Sequence, residues 1–325
     1  PEFNNAREYS SLEEVMNTLL TAKGKSFREL DQTGRALTGG NKGSLGQIIE
    51  ESVLKYAINS DAAPDIHIGD TSYELKVTPL KHIKKGKQTS AKERLVIDII
   101  NYLTLADETD FESSKMWDKA KNIILVYYYD DRTDKKKELR IDCKVLASYL
   151  MKYEADDLAT IKNDWHVIRD KVASGHADSL SESDTNYLAA CTKGANSKQL
   201  REAPAPAGAN TATIFAKQRA FSLKTSYMTA IARKLLNRKS ETVRLPIPQE
   251  QNLDEYVAAK FIPYTGKSSR DIASELQVSV APTAKNYNSS LAFAMLGASK
   301  SSISKIEQFS KANISQFKSV TIYPD

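Results

Sequence analysis

Two short runs of alternating residues flank a Gly69-Asp70 turn, and this pattern constrains the fold more than any other part of the chain. Side chains two apart in a strand point to the same face, so Glu74 and Lys76 project together while the residues beside them can be buried. If Gly69-Asp70 forms a two-residue hairpin loop, Asp65 falls opposite Glu74. The sequence therefore predicts a hairpin that carries two carboxylates and an ammonium.

The grouping of Asp65, Glu74 and Lys76 suits hydrolysis of a phosphodiester with a divalent metal ion. Mg²⁺ prefers oxygen ligands and takes only one or two protein carboxylates together with water and substrate phosphate. Lys76 would orient or help to deprotonate the attacking water, or stabilise the developing charge. Glu-x-Lys on a strand is also common on solvated faces with a cross-strand ion pair, so the pattern alone leaves both interpretations open.

The 325 residues are enough for two domains, or for one large domain with an appendage. No apolar run is long enough for a transmembrane span or a signal peptide. Cys143 and Cys191 are far apart and lack metal-like spacing, which predicts a reducing cytoplasm without disulfides or a zinc site. The formal net charge of +5 is modest for this length, so local clusters of charge matter more than the total.

Hydrophobic periodicity predicts an α/β fold, with a mixed sheet flanked by helices and a helical C-terminal extension. Residues 122–129 form the strongest strand pattern, and Pro79 is expected to end the hairpin strand. Further strands are predicted over 95–100 and 139–145. Helices are predicted over 11–24, 44–57, 113–121, 155–172, 182–190, 253–261, 269–276, 290–296 and 302–309. Residues 217–224 are predicted to lead into a further, long helix that ends at 238.

A basic loop follows the hairpin, with six lysine or arginine residues and only one acid, Glu93, between positions 81 and 94. Such a loop is either a soluble tip or a contact to a phosphate backbone, and its place after the Glu-x-Lys strand favours the second. Ser222, Lys224, Thr225 and Arg233 could also contact phosphates, although the basic residues near 233–239 equally suit a helix C-terminus.

Six segments have a more specific pattern when they are taken together: Lys42–Glu50, Pro64-Asp65, Tyr73–Pro79, Lys92–Val96, Cys191–Asn196 and Arg219–Lys224. They resemble the MutH mismatch-repair nicking endonucleases and the related restriction enzymes of the MutH/Sau3AI family, which act at GATC. The resemblance covers essentially the whole chain. It implies a PD-(D/E)xK restriction-endonuclease-like, MutH-like fold, and it turns a weak motif into a specific assignment.

The resemblance implies the catalytic residues. The glutamate of the K-G-x-x-G-x-x-x-E segment joins the carboxylates of the D…E-x-K set at Mg²⁺, so Glu50, Asp65 and Glu74 would bind the metal. Lys76 matches the motif lysine. A further family lysine falls at Lys119, but the alignment is looser here than elsewhere and would also allow Lys121. Whether one or two metal ions act is left open by the sequence.

The resemblance also implies DNA contacts. Lys42 and Gly43 match residues near the DNA backbone, and the Thr192-Lys193-Gly194 segment matches the loop that reads base edges in the major groove. MutH has Arg-Pro where this chain has Cys191-Thr192, so the individual base contacts are open. The full set of predicted DNA-binding residues is Lys42, Gly43, Lys92, Thr192, Lys193, Gly194, Arg219, Ser222 and Lys224.

The predicted organisation is a MutH-like catalytic and DNA-recognition domain over 4–244, followed by a small helical linker module over 245–325. The resemblance implies a second, inactive domain beyond this chain. The predicted function is a type II restriction endonuclease that cuts double-stranded DNA at GATC in the bacterial cytoplasm and leaves 5′-phosphates. One active site per chain means that cutting both strands needs a second copy, as in a transient dimer on DNA, a second binding event, or the further domain. The alternatives are a MutH-type nickase and a GATC-binding module without turnover.

Overall fold

The computed structural model describes residues 8–34, 44–56, 65–83, 85–86, 88–134, 138–194, 199–237, 242–298 and 303–315. The predicted DNA contacts Lys42 and Gly43 lie outside these ranges, as do Lys84 and Lys87 of the basic loop. No helix within the described ranges is both long and apolar enough to cross a membrane.

The described part of the chain alternates strands and helices. The strands are β1 Ile66–Ile68, β2 Thr71–Ile83, β3 Gln88–Ala91, β4 Leu95–Ile99, β5 Ile123–Tyr129, β6 Val145–Leu150, β7 Leu188–Thr192, β8 Leu200–Pro204, β9 Thr213–Lys217 and β10 Arg219–Leu223. The α-helices are α1 Leu12–Leu20, α2 Phe27–Leu30, α3 Ser44–Gln47, α4 Tyr102–Asp107, α5 Lys115–Ala120, α6 Ala155–Ala173, α7 Thr225–Leu235, α8 Leu253–Phe261, α9 Ser269–Glu275, α10 Tyr287–Met295 and α11 Glu307–Ala312.

The main sheet has the strand order β1-β2-β5-β6, and β3 also pairs with β2. β2 and β5 are parallel, whereas the other pairs of this sheet are antiparallel. Side chains of β5 alternate between two hydrophobic clusters, because successive residues of a strand point to opposite faces. Ile123 and Leu125 join the larger cluster, and Ile124 and Val126 pack against α1 and α2 in the smaller one. The predicted mixed α/β fold is confirmed.

A second, antiparallel sheet has the order β4-β10-β7, and β8 and β9 form a separate hairpin. Helix α5 packs on both β4 and β2, so it connects the two sheets. Helix α7 packs on β3 and on α11. The elements that follow the main sheet therefore surround one face of it.

The C-terminal helices share the larger hydrophobic cluster with the sheets. Tyr256 of α8 and Phe309 of α11 belong to the same buried cluster as Tyr227 of α7. Lys311 makes an ion pair with Asp157 of α6 at 2.7 Å, with side chains only 4% and 0% exposed. The division of the chain at residue 244 stays a prediction, and the two parts pack closely across it.

Two of the predicted elements were wrong. The segment predicted as a strand over 139–145 contains a 3₁₀ turn at Arg140–Asp142, and its strand begins only at Val145, where pairing with β5 sets the register. The segment predicted as a helix over 182–190 contains a 3₁₀ turn at Glu182–Asp184 and then β7. A short, fully apolar run has no periodicity that separates a buried strand from a helix.

Two boundaries also differ from prediction. The long helix expected after 217–224 begins at Thr225 but ends at Leu235, before the expected end at 238, and the residues that lead into it form β9 and β10. β2 continues past Pro79 to Ile83. The carbonyl of Pro79 accepts a hydrogen bond from the N–H of Lys92 at 3.0 Å, and the paired residues of the β2–β3 ladder begin only at Leu80, so the missing N–H of Pro79 lies at the end of that ladder.

Candidate active site

The β1–β2 hairpin has the predicted register, with Ile68 opposite Thr71. Asp65 directly precedes β1 and lies across from Glu74. Its Oδ2 accepts a hydrogen bond from the N–H of Leu75 at 2.8 Å, which fixes this carboxylate at the open end of the hairpin. A short loop and strict alternation are therefore enough to bring Asp65 next to β2.

Glu74 and Lys76 lie on the same side of β2, as predicted. Nζ of Lys76 donates to Oε1 of Glu74 at 2.5 Å, and the side chains are 24% and 8% exposed. The other carboxylate oxygen of Glu74, Oε2, is buried without a hydrogen-bond partner among the described protein atoms. A buried carboxylate oxygen without a partner costs free energy, so this position calls for a group that the protein itself does not supply.

Glu50 belongs to a π-helix at Ile48–Val53 that directly continues α3. The N–H of Leu54 bonds to the carbonyl of Ile49 at 2.9 Å, which is the five-residue spacing of this helix type. Buried Ile48 and Ile49 anchor the turn in the smaller hydrophobic cluster. The sequence predicted an ordinary amphipathic helix here, and π-turns of this kind occur frequently at functional sites.

The carboxylates of Glu50, Asp65 and Glu74 influence one another. Burial raises the pKa of Glu50 to about 7, the charges of Asp65 and Glu74 add to this effect, and the charge of Lys76 opposes it. Burial also raises the pKa of Glu74, against the opposing charge of Lys76. The site therefore concentrates negative charge that a cation would relieve.

The donor set fits a hard divalent cation that is bound together with substrate. No group of three or more His, Cys, Asp or Glu side chains in the described ranges is arranged as a metal centre, so the predicted set of Glu50, Asp65 and Glu74 does not form one by itself. Mg²⁺ does not need one, because it usually keeps several waters and takes one or two carboxylates plus substrate phosphate. The unpartnered Oε2 of Glu74 is the atom best placed to be such a ligand.

The structure distinguishes between the two lysines that the sequence left open. Nζ of Lys119 lies 3.1 Å from Oδ1 of Asp98, and the charge of Lys119 lowers the pKa of Glu74. Lys121, at the end of α5, pairs instead with Asp118 at 2.6 Å and is 40% exposed. Lys119 is therefore the one of these two lysines whose charge acts on Glu74, and its catalytic role stays a prediction.

The sequence reasoning missed Asp98 and Lys115. Oδ2 of Asp98 lies 3.6 Å from Nζ of Lys115, so the carboxylate of Asp98 is close to two lysines of α5. A signal was present, because Asp98 is the single charged residue in the apolar strand over 95–100 and a charge at such a place needs a partner. Its partners could not be identified from spacing.

The predicted base-reading segment lies at the end of β7. Thr192 is the last residue of that strand, and Lys193 and Gly194 follow it, all three exposed. The N–H of Lys193 donates to the carbonyl of Gln218 at 2.9 Å, which fixes the backbone and leaves the side chain in solvent. These three residues are available to a ligand.

The predicted DNA contact Lys92 is engaged in an ion-pair cluster. Its Nζ donates to the carbonyl of Asp130 at 2.6 Å and lies 3.0 Å from Oδ2 of the same residue. Burial opposes ionisation of Asp130, but Arg132 and Lys92 together hold its pKa well below the usual range. Lys92 therefore stabilises the end of β5, and a DNA contact through it stays a prediction.

The structure corrects the prediction for Arg219 and Ser222. Arg219 is 9% exposed and donates to the carbonyls of Ala190, at 2.7 Å, and Leu180. Ser222 is 0% exposed, so neither side chain is available to DNA in this conformation. Both lie on β10, whose residues are buried at every position because it is the central strand of the second sheet.

Lys224 is half-buried at the N-terminus of α7. Its Nζ donates to the carbonyl of Thr185, and burial lowers the pKa of Lys224. Its role as a phosphate contact stays a prediction.

Comparison with known proteins is consistent with this geometry. Residues 54–164 match the family model described as DNA mismatch repair enzyme MutH. The chain is 36% identical over 314 residues to the type II restriction enzyme Sau3AI of Staphylococcus aureus, an alignment that covers 94% of this chain and 61% of Sau3AI. It is 26% identical over 226 residues to the DNA mismatch repair protein MutH of Shewanella woodyi, covering 68% of this chain and 90% of that protein.

The matched family segment runs from just after Glu50 through β2, α5 and β5, so it contains Asp65, Glu74, Lys76 and Lys119. The chain spans about three fifths of the length of Sau3AI. The resemblance that the sequence motifs predicted is confirmed: residues 54–164 match the MutH family model, and 94% of this chain is similar to the type II restriction enzyme Sau3AI.

Proposed function

We propose that the chain is a type II restriction endonuclease that hydrolyses double-stranded DNA at GATC with Mg²⁺ and leaves 5′-phosphates. The observation that carries this proposal is the buried Glu74 carboxylate, with one unpartnered oxygen, between Asp65 and Lys76. This arrangement is what a PD-(D/E)xK site requires, and it lies within the segment that matches the MutH family.

Asp65 and Glu74 would hold Mg²⁺, with Glu50 assisting. When bound, the ion offsets the negative charge that develops at phosphorus and makes water more acidic. Lys76 holds its ammonium on the same side of β2 as Glu74, where it orients the attacking water and stabilises the developing charge. Lys119 supplies a second positive charge near Glu74, from α5 on the other side of the site.

Recognition of GATC is assigned to the exposed Thr192-Lys193-Gly194 segment. A lysine ammonium can donate to the O6 and N7 acceptors of guanine in the major groove. Lys42 and Gly43, which precede α3, are proposed to contact the DNA backbone near the scissile phosphate. In this proposal the end of β7 reads bases while β2 supplies the chemistry.

The proposed partners are double-stranded DNA with GATC, a further domain of the same protein, and a second copy that joins transiently on DNA. Sau3AI is longer than this chain, which supports the further domain. We place the protein in the bacterial cytoplasm, where such DNA is accessible. A MutH-type nickase is the second candidate, since the match to MutH covers 90% of the Shewanella woodyi protein and one site cuts one strand.

Cleavage of a duplex with a single GATC site, in Mg²⁺ and in EDTA, tests the proposal. We expect Mg²⁺-dependent scission by the wild type and a loss of about 10²–10⁴-fold in rate for Glu74→Ala and Lys76→Ala. Lys121→Ala is the matched control, because it removes a lysine of the exposed pair with Asp118. The melting temperature of each variant is compared with that of the wild type, so that a loss of cleavage is not mistaken for a loss of folding.

Strand-specific labels separate the candidate functions. Cutting of both strands of an unmethylated site supports the restriction enzyme, whereas cutting of one strand, with a preference for hemimethylated duplex, supports the nickase. Tight binding of GATC without Mg²⁺-dependent scission at any enzyme concentration would show a binding module and refute the proposal.

A further inference from the structure

Asp98 is a carboxylate that the proposed hydrolysis does not use. Its two oxygens face two lysines one turn apart on α5: Oδ1 lies 3.1 Å from Nζ of Lys119, and Oδ2 lies 3.6 Å from Nζ of Lys115. Asp98 and Lys119 are 16% and 13% exposed, whereas Lys115 is 53% exposed. The stronger of the two ion pairs is therefore that of Asp98 with Lys119, because water screens the more exposed pair of Asp98 with Lys115.

The backbone at Asp98 departs from a regular ladder. Asp98 pairs with Phe221 of β10, but the next pair joins Val96 to Ser222, so Ile97 is an extra residue in β4. Irregularities of this kind occur preferentially next to active sites, where they redirect a side chain. Here the irregularity lies beside the residue whose carboxylate reaches α5.

Asp98 also connects the site to the β4-β10-β7 sheet, which ends in the proposed base-reading segment and is called the recognition sheet below. Its partner Phe221 pairs on the other side with Ala190 of β7, and Thr192 lies two residues further along that strand. Helix α5 packs on β4 and on β2, and the charge of Lys119 acts on Glu74. Lys119 is therefore shared between the sheet that carries the catalytic carboxylate and the sheet that ends in the proposed base-reading segment.

We propose that Asp98 is a positioning residue that holds Lys119 beside Glu74 and ties the position of this lysine to the β4-β10-β7 sheet. The inference rests on the proposed nuclease function. A lysine has a flexible four-carbon stem, so without a fixed partner its ammonium samples several positions. Misplacement of a catalytic group by about 1 Å is enough to lower the rate by about 10²-fold. Asp98 prevents such a displacement of the Lys119 ammonium through a largely buried ion pair.

The test compares Asp98→Asn, Asp98→Ser and Asp98→Glu with the wild type in steady-state cleavage and in DNA binding without metal. We expect kcat to fall about 10–100-fold in the two neutral variants, with KM and the binding constant within twofold of wild type. Asp98→Glu restores the charge and recovers a part of kcat. Either neutral variant carries the test if the other does not fold.

A double-mutant cycle with Lys119→Met makes the test specific. If Asp98 acts through Lys119, the double variant cuts no more slowly than Lys119→Met alone. Asp118→Asn is the matched control, since it breaks an exposed ion pair on the same helix and leaves kcat unchanged. The link to the recognition sheet predicts that Asp98→Asn lowers the ratio of cleavage at GATC to cleavage at a site with one altered base.

Three outcomes overturn the inference: neutral variants with wild-type kcat, additive losses in the double variant, or a rise in KM and a weakening of DNA binding as large as the fall in kcat, which would place Asp98 in DNA binding instead. If the wild type cuts DNA and the Asp98 variants cut equally well, only this inference fails. A wild type that binds GATC and cuts nothing overturns the proposed function and the inference with it.

Discussion

Among the buried clusters of charged side chains in the described part of the protein, those around Asp157 and around Glu74 differ in their partners. In the first, Nζ of Lys311 contacts both carboxylate oxygens of Asp157 at 2.9 and 2.7 Å, and both side chains are almost completely buried. In the second, Glu74 is equally enclosed, but only Oε1 has a partner, Lys76, while Oε2 has none among the described atoms.

The difference indicates what each cluster is for. The pair of Lys311 and Asp157 connects α11 to α6 and satisfies its own charges, so it contributes to holding the C-terminal helices in place. The cluster around Glu74 leaves a carboxylate oxygen unsatisfied and adds the like charges of Glu50 and Asp65, so it costs stability until a cation and a substrate phosphate arrive. Substitutions should therefore act in opposite directions in the two clusters.

The largest expected effect on stability is that of Lys311→Met. Removing one partner of a buried ion pair leaves an uncompensated charge on Asp157, which costs about 3–5 kcal/mol of the free energy of unfolding. Urea denaturation measures the change. Cleavage by the molecules that remain folded should stay close to wild type, because Lys311 touches no residue of the proposed site.

The control for this prediction is the double variant Lys311→Met with Asp157→Asn, which also removes the remaining buried charge. It should recover a part of the lost stability. An unchanged urea midpoint for Lys311→Met alone would show that the pair contributes nothing and would remove the contrast between the two clusters.

Glu50→Gln should raise the free energy of unfolding, in contrast to Lys311→Met. The folded pKa of Glu50, about 7, lies above its ordinary value, so the folded protein keeps a proton that the unfolded chain has lost. This contribution to stability is complete below the unfolded pKa and disappears as pH rises through about 7. The glutamine variant should therefore be more stable than wild type in EDTA at pH 8.5, by about 1–2 kcal/mol after allowance for solvent screening.

Thermal melting at pH 5 and pH 8.5 checks this. The advantage of Glu50→Gln should shrink at pH 5, where the wild-type carboxyl is protonated in the folded protein. Adding Mg²⁺ at pH 8.5 should stabilise the wild type more than the variant, since the ion favours ionised carboxylates. Equal melting temperatures at pH 8.5 in EDTA would contradict the like-charge description of the site.

Arg244→Met should have the smallest effect. Arg244 makes ion pairs with Asp156 and with Glu307, the latter at 2.8 Å, but it is about a third exposed. Water screens such pairs, so we expect a loss of about 1 kcal/mol. Urea denaturation in 0.05 M and 0.5 M NaCl checks this, because the loss of stability should shrink as the salt concentration rises. A loss as large as that of Lys311→Met would show that burial does not determine how much an ion pair contributes to stability.

Much of the fold could be predicted because its signals are local. The Gly69-Asp70 turn and strict alternation fixed the register of the hairpin, and the apolar run at 123–129 identified β5. β6 and β7 were missed because their limits depend on pairing with β5 and β10, which are distant in sequence. The π-turn at 48–53 leaves no mark in composition.

The candidate site was likewise predicted where its residues are close in sequence and missed where they are distant. Asp65, Glu74 and Lys76 are within twelve positions of one another, so hairpin geometry alone grouped them. Lys119 came from the resemblance, with Lys121 as an alternative, and only the contact with Asp98 separates the two. The burial of Arg219 and Ser222 depends on the position of β10 between two other strands, which no local pattern reveals.

The π-helix at Ile48–Val53 has a consequence for how relatives of this protein are compared. In this turn the direction of Glu50 depends on the number of residues rather than on their identity, because each residue added to or removed from a helical turn rotates its neighbours by roughly a quarter of a turn around the axis. After a deletion of one residue elsewhere in this turn, every proposed catalytic residue would still be matched in a sequence alignment. The deletion would nevertheless swing the Glu50 carboxylate away from Glu74, so counting matched residues can overstate how much of this site a relative retains.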